Sequence, residues 1–236
     1  MAALSWFSIA AVALVLIGLT AVVVGIWRWR VAALVRRTRL LEERVTQRTA
    51  ALQLATEELH FLAFHDDLTA LMNQRGFWQH ADKLEMESRT GQTMFGLVLV
   101  DLDHFKRVND RYGHRTGDEV LRHAAGLMQR QCCEADFVCR YGGEEFAILV
   151  VDTSPDNLRK LAETLRSEME SHPYKGDSGE IAFTASVGVS YWLGGKDNVE
   201  AMFGRADKAM YEAKESRNSW MMWNPAMDFE SAPENA

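Results

Sequence analysis

Acidic residues are absent from the first 41 positions of this 236-residue chain, where five arginines (28, 30, 36, 37 and 39) stand unopposed. The whole chain carries −7, so the 195 residues that follow carry −12. A body that acidic argues against non-specific nucleic-acid binding, which needs a basic face for the phosphates. Cysteine is scarce as well: Cys132, Cys133 and Cys139 are the only three. An odd count with two adjacent members speaks against a disulfide framework, and no zinc-ligand spacing is present. A reducing, cytosolic compartment fits this usage. No internal repeat is visible.

Charge is missing altogether from Leu4 to Trp27. As a helix rising ~1.5 Å per residue this run reaches about 36 Å, enough to cross a hydrocarbon core of ~30 Å with some tilt. A cleaved signal peptide would begin with charge and carry a shorter apolar run; Met-Ala-Ala-Leu-Ser offers no charge. The segment is therefore read as an uncleaved anchor, residues 1–30. Trp6, Trp27 and Trp29 would mark its two interfaces. The arginines that follow put the body of the protein in the cytoplasm by the positive-inside rule. The few residues ahead of the anchor leave no room for an external sensor domain.

Residues 31–63 contain no glycine and no proline. Val45, Leu52 and Leu59 recur every seven residues, and Leu41, Arg48, Ala55 and Leu62 trace a poorer second seam. This predicts a short parallel coiled coil, or else a helix packed on its own domain. Arg48 and Ala55 make the seam weak.

From about residue 64 strands and helices alternate. Met94–Val100 predicts a buried strand ending at Asp101. Thr116–Glu134 predicts a helix with Val120, Ala124, Leu127, Met128 and Gln131 on one face. Pro155 opens another, with Leu158, Leu161, Leu165 and Met169 inward. Residues 181–191 alternate as one half-buried strand, and Val199–Lys214 is an amphipathic helix with Met202, Ala206, Met210 and Ala213 inward. Residues 225–236 are polar and predict a disordered tail.

The richest stretch is Tyr141-Gly-Gly-Glu-Glu-Phe146, between the apolar runs Asp136–Arg140 and Phe146–Val151. It predicts a tight hairpin with acidic groups at its tip. Two adjacent glutamates there repel each other unless a divalent cation offsets them. Asp101, at the end of a buried strand, would emerge at the sheet edge beside this hairpin. Asp118 follows Thr-Gly at the start of a helix and reads equally well as a helix cap or as a ligand group.

Four blocks in order resemble the GGDEF family, the diguanylate cyclases, and together cover residues 66–218. They are Asp66-Asp-Leu-Thr-Ala-Leu-Met-Asn-Gln-Arg75; Val100-Asp-Leu-Asp-His-Phe-Lys-Arg-Val-Asn-Asp110 running on to Tyr112–Asp118; the hairpin; and Ala206-Asp-Lys-Ala-Met-Tyr-Glu-Ala-Lys214. The resemblance implies an α+β domain over residues 64–224. Its central, mainly antiparallel sheet would be flanked by helices, like nucleotidyl cyclases and polymerase palms. It implies condensation of two GTP into cyclic di-GMP at a homodimer interface, in a single-pass protein of a bacterial inner membrane.

By the same resemblance, Asp101, the Leu102 carbonyl, Glu144 and Glu145 hold Mg2+, with Mn2+ as a substitute, and Glu144 is the candidate base for the 3′-hydroxyl. Phe105, Lys106 and Lys214 face the phosphates, Asn109 and Asp118 read guanine, and His114 is a further substrate contact. A carboxylate suits the N1–H and amino group of guanine and would be left unpaired by adenine. The chain departs from the family pattern at Ala70 (usually Gly), Gln74 (usually Arg) and Glu215-Ser-Arg217-Asn218, where either Arg217 stands at the usual Gly position or one residue is deleted. The family's inhibitory Arg-x-x-Asp site is degenerate, with Cys133 in place of the arginine and Asp136 retained. A thiol cannot replace a bidentate guanidinium, so product inhibition through this site is expected to be weak or absent. Other readings are a non-catalytic receptor for GTP or cyclic di-GMP, a membrane-tethered scaffold, and a mononucleotide cyclase. The retained carboxylates disfavour the receptor, and the guanine-edge pair disfavours the mononucleotide cyclase.

Overall fold

The computed structural model describes residues 2–91, 94–177 and 179–227. The chain divides into two compact units, residues 1–59 and 60–236.

The first unit lies within helix α1 (Ala2–Phe64). Val12, Leu16, Ile17, Val23 and Ile26 are all exposed on it. A helix apolar on every side calls for apolar surroundings, and this one is long and apolar enough to cross a membrane. Trp6 belongs to a stretch whose side chains lie outside the described set. The seam residues Leu41, Val45, Leu52 and Leu59 are exposed along the single helix.

The second unit is built on a six-stranded sheet. Its strands are β1 (Met72–Asn73), β2 (Phe95–Leu102), β3 (Phe137–Gly142), β4 (Glu145–Val151), β7 (Ala185–Tyr191) and β8 (Ser219–Met222), in the order β1-β3-β4-β2-β7-β8. The sheet is mixed. The three inner pairings are antiparallel, and the outer pairs β1/β3 and β7/β8 are parallel. Strands β5 (Tyr174–Gly176) and β6 (Gly179–Ile181) form a separate hairpin. The single strand predicted over residues 181–191 is therefore two pieces. Asp103 holds Thr184 at the break: its N–H donates to the Thr184 carbonyl at 2.8 Å and its carboxylate accepts from the Thr184 hydroxyl at 2.6 Å.

Helices α2 (Gln74–Arg89), α3 (Phe105–Tyr112), α4 (His114–Gln131), α5 (Pro155–Ser171) and α6 (Val199–Ser216) cover the sheet. Side-chain caps fix three of their starts. Asn73 accepts from the Gly76 N–H at 3.0 Å, Ser154 from Asn157 at 3.3 Å ahead of Pro155, and Asn198 from Ala201 at 2.7 Å.

Strand parity divides the core in two. Phe95, Leu97 and Leu99 of β2 pack with Phe77, Ala81, Met202, Ala206 and Met210, the inner faces of α2 and α6. Val98, Val100 and Leu102 pack with α3, α4 and α5 through Phe105, Val120, Leu127, Leu158 and Leu165. Each fully buried side chain of this size contributes about 1.5–3 kcal/mol. The same parity turns Asp101 toward α6.

α6 lies directly on β7. A Cβ at Gly188 would stand 2.2 Å from the Ala206 carbonyl oxygen and 2.4 Å from the Met210 nitrogen. Of the tail predicted from residue 225, positions 228–236 lie outside the described residues, and Met227 packs against Ala209 and Trp223.

Candidate active site

Two elements create the site: the C-terminal end of β2 and the β3–β4 hairpin. Antiparallel pairing of β2 with β4 sets Asp101 directly opposite Glu145. The hairpin turns through Gly143 and Glu144, with Gly142 paired to Glu145 and Gly143 at φ +51°. The Leu102 N–H donates to the Glu144 carbonyl at 3.3 Å. Asp101, Leu102, Glu144 and Glu145 therefore lie together at one end of the inner strands β2 and β4.

Lys214, in the last turn of α6, donates to Asp101 Oδ2 at 2.9 Å. Burial pushes the Glu145 carboxyl above the usual carboxylate range. The charges of Asp101, Asp207 and Glu144 add to this, and Lys214 opposes it. The site is thus a group of carboxylates with one lysine paired to it. Oxygen donors of this kind, carboxylates plus a backbone carbonyl, suit a hard cation such as Mg2+. Among the described residues, no three His, Cys, Asp or Glu side chains already converge on one point.

The second group of residues sits on the α3–α4 pair. Phe105 is buried at the first position of α3, and Lys106 beside it is exposed. Asn109, half-buried, lies against α4: a Cβ at Gly117 would fall 1.8 Å from its Oδ1. That close approach brings the Asn109 amide next to the residue preceding Asp118. Asp118 itself is not a helix cap. α4 begins four residues earlier, at His114, with Gly113 as its N-cap. The cap reading put the helix start at Thr116-Gly-Asp118 and overlooked Gly113, whose φ of +84° and ψ of 156° make the break between α3 and α4. His114 is exposed at the first position of α4.

Some residues that shape the site were not singled out in the sequence. Asp103 is buried and accepts from the Thr184 hydroxyl, the Ser186 hydroxyl at 2.7 Å and the Asn218 N–H at 2.9 Å. It ties the loop after β2 to β7 and to the chain after α6. Arg140 reaches both Asp66 oxygens at 3.2 and 3.1 Å, and gives the Gly143 carbonyl two more bonds at 3.0 and 2.9 Å. Asp66 in turn accepts from the Thr69 N–H and hydroxyl. The segment that follows α1 is thereby fastened to the turn carrying Glu144. The Asp-x-x-Thr block and the arginine two residues before the first glycine were visible signals, but nothing local pairs residues 74 positions apart.

Arg217 adopts φ 53° and ψ 169°, a conformation that favours glycine. Asn218 after it also has positive φ, at 42°. In the Cys133–Asp136 segment both Asp136 oxygens are engaged by backbone: Oδ2 by the Cys133 N–H at 2.8 Å and Oδ1 by the Val151 N–H at 3.0 Å.

The sequence profile of the family described as diguanylate cyclase, GGDEF domain, matches residues 63–219. The chain belongs to the GGDEF family. It is 36% identical over 189 residues to the diguanylate cyclase DgcP of Pseudomonas aeruginosa, which is 78% of this chain and 27% of that protein. It is 38% identical over 157 residues to the response regulator PleD of Caulobacter vibrioides, 66% of this chain and 35% of that protein. The chain thus spans about a third of the length of these relatives. Among solved structures it resembles the coiled coil and GGDEF domain of DgcB from Caulobacter crescentus, solved in complex with c-di-GMP. The TM-score is 0.71 at 32% identity, covering 77% of this chain and 98% of that one.

Proposed function

We propose that this GGDEF protein is a diguanylate cyclase, joining two GTP into cyclic di-GMP. The observation that carries the reading is the register that sets Asp101 opposite Glu145, with Glu144 at the adjoining turn. In each half-reaction the 3′-oxygen of one GTP attacks the α-phosphorus of the other. A new P–O bond forms, the bond to pyrophosphate breaks, and the 3′-hydroxyl proton leaves. Glu144, at the tip of the hairpin, is the candidate acceptor of that proton. Asp101, the Leu102 carbonyl, Glu144 and Glu145 would hold Mg2+, which would supply charge stabilisation at the phosphates.

Asn109 and Asp118 hold the guanine edge, while Phe105, Lys106 and Lys214 face the phosphates and His114 adds a contact. Because one domain holds one GTP, two protomers must face each other, and proximity supplies much of the acceleration. The heptad seam of α1 raises the local concentration of the two domains. The apolar part of α1 anchors the chain in a bacterial inner membrane with residues 31–236 in the cytoplasm.

The test incubates the full-length chain in detergent with GTP and Mg2+. Cyclic di-GMP formed by wild type and lost in Glu144→Ala is the expected result. GTP binding without product would replace the enzyme by a receptor.

A further inference from the structure

Lys214 has two claims on it. As a cation beside the triphosphate it would hold phosphate oxygens, yet its ammonium donates to Asp101 Oδ2 at 2.9 Å. Asp101 is the residue expected to hold Mg2+. The pair is partly shielded from water, with Asp101 14% and Lys214 36% exposed. Three more carboxylates belong to this region: Glu145 opposite Asp101 on β4, Glu144 at the turn, and Asp207 two helical turns before Lys214 on α6, and Asp101, Asp207 and Glu144 all act on Glu145. Lys214 is the cation paired with this group of carboxylates.

We propose that Lys214 exchanges partners during substrate loading. It occupies Asp101 in the free protein and moves to the phosphates when metal and nucleotide arrive together. A divalent cation arriving alone must share Asp101 with the ammonium, so it either displaces this charge-assisted bond or sits against a like charge. When the triphosphate arrives with it, the displaced ammonium has a new anion. Lys214 therefore weakens binding of free metal, strengthens binding of nucleotide, and makes the two interdependent. Position favours the exchange: Lys214 sits one turn from Met210, whose helix is wedged on Gly188. The helix is fixed, and only the side chain needs to swing.

This inference rests on the metal and triphosphate site proposed above, and its test separates the two. Mn2+ serves as the probe, followed by electron paramagnetic resonance on the full-length chain in detergent. 3′-Deoxy-GTP, which cannot turn over, serves as the nucleotide. In Lys214→Met, the affinity for Mn2+ alone should rise about tenfold, the scale of one charge-assisted hydrogen bond discounted for partial exposure. The affinity for 3′-deoxy-GTP in the presence of Mn2+ should fall by a similar factor. Lys214→Arg keeps the charge and should leave Mn2+ affinity within about threefold of wild type.

A lysine that only contacts phosphate would leave free-Mn2+ binding unchanged in Lys214→Met, which overturns the exchange. Weaker Mn2+ binding in that variant overturns it equally. If Mn2+ binding by the wild type is unaffected by Asp101→Asn, the metal site itself is wrong and both readings fall. Thermal unfolding of each variant checks that these changes are not loss of fold; should Lys214→Met unfold, a tenfold weakening of free-Mn2+ affinity in Lys214→Arg would by itself refute the exchange.

Discussion

Arg140→Ala tests whether the segment after α1 holds the β3–β4 hairpin. The Arg140 side chain is 16% exposed and Asp66 22%, between a surface pair and a buried one. Exposed ion pairs contribute ~0–1 kcal/mol, whereas removing one partner of a buried pair costs ~3–5 kcal/mol. The intermediate burial puts Arg140→Ala at about 2 kcal/mol, with the loss of two bonds to the Gly143 carbonyl included. For a domain of this size that is a fall of roughly 4–8 °C in Tm.

The acid limb distinguishes this pair from a simple packing loss. Burial alone would raise the Asp66 carboxyl, but hydrogen bonds from Thr69 and Arg140 and the guanidinium charge hold it below the usual carboxylate range. A folded value below the unfolded one stabilises the protein above the unfolded value of about 3.9, and the contribution disappears as pH falls through the depressed folded value. The stability gap between wild type and Arg140→Ala should therefore narrow from pH 6 toward pH 3. Urea unfolding of the full-length chain, followed by tryptophan fluorescence through the buried Trp192, measures it. Cyclase activity should fall by more than tenfold under conditions where the variant is still folded. A gap below ~0.5 kcal/mol at neutral pH, within the usual range of neutral surface changes, or a gap that does not change with pH, would refute the reasoning.

Gly188→Ala drives a methyl group into the α6 backbone and should cost ~3 kcal/mol or more, at the upper end for overpacking; calorimetry showing a wild-type Tm would contradict the close approach. Cys133 is exposed, while burial pushes the thiols of Cys132 and Cys139 up to about 12. Iodoacetamide at neutral pH should thus modify the native chain once, at Cys133, by peptide mass spectrometry. Asp136→Ala should lower Tm by a few degrees, through two lost backbone bonds worth ~1 kcal/mol each, and should leave cyclic di-GMP inhibition unchanged. Tight product binding that this substitution abolishes would show a working inhibitory site.

Much of the α6 face and the hairpin was legible because both signals are local. Helical spacing named Met202, Ala206, Met210 and Ala213, and all four are buried. The two glycines placed the turn, and the apolar run after them became β4. Strand β1, with two residues, and β8, with four, are too short to show a period. They owe their existence to a neighbouring edge, and they make the sheet mixed. The start of α4 was misplaced because the break at Gly113 is a backbone conformation rather than a side-chain pattern.

The sequence by itself determined the family, the residue types at the site and the apolar helix, because each is written in contiguous blocks or in a simple repeat. Only the tertiary structure decided their partners. It joined Asp66 to Arg140 across 74 positions and Lys214 to Asp101 across 113. It also set the Asp136 carboxylate against the Cys133 and Val151 N–H groups. The reason is physical: an ionised group answers to whichever charge the fold brings within about 4–6 Å, and no local spacing encodes that neighbour.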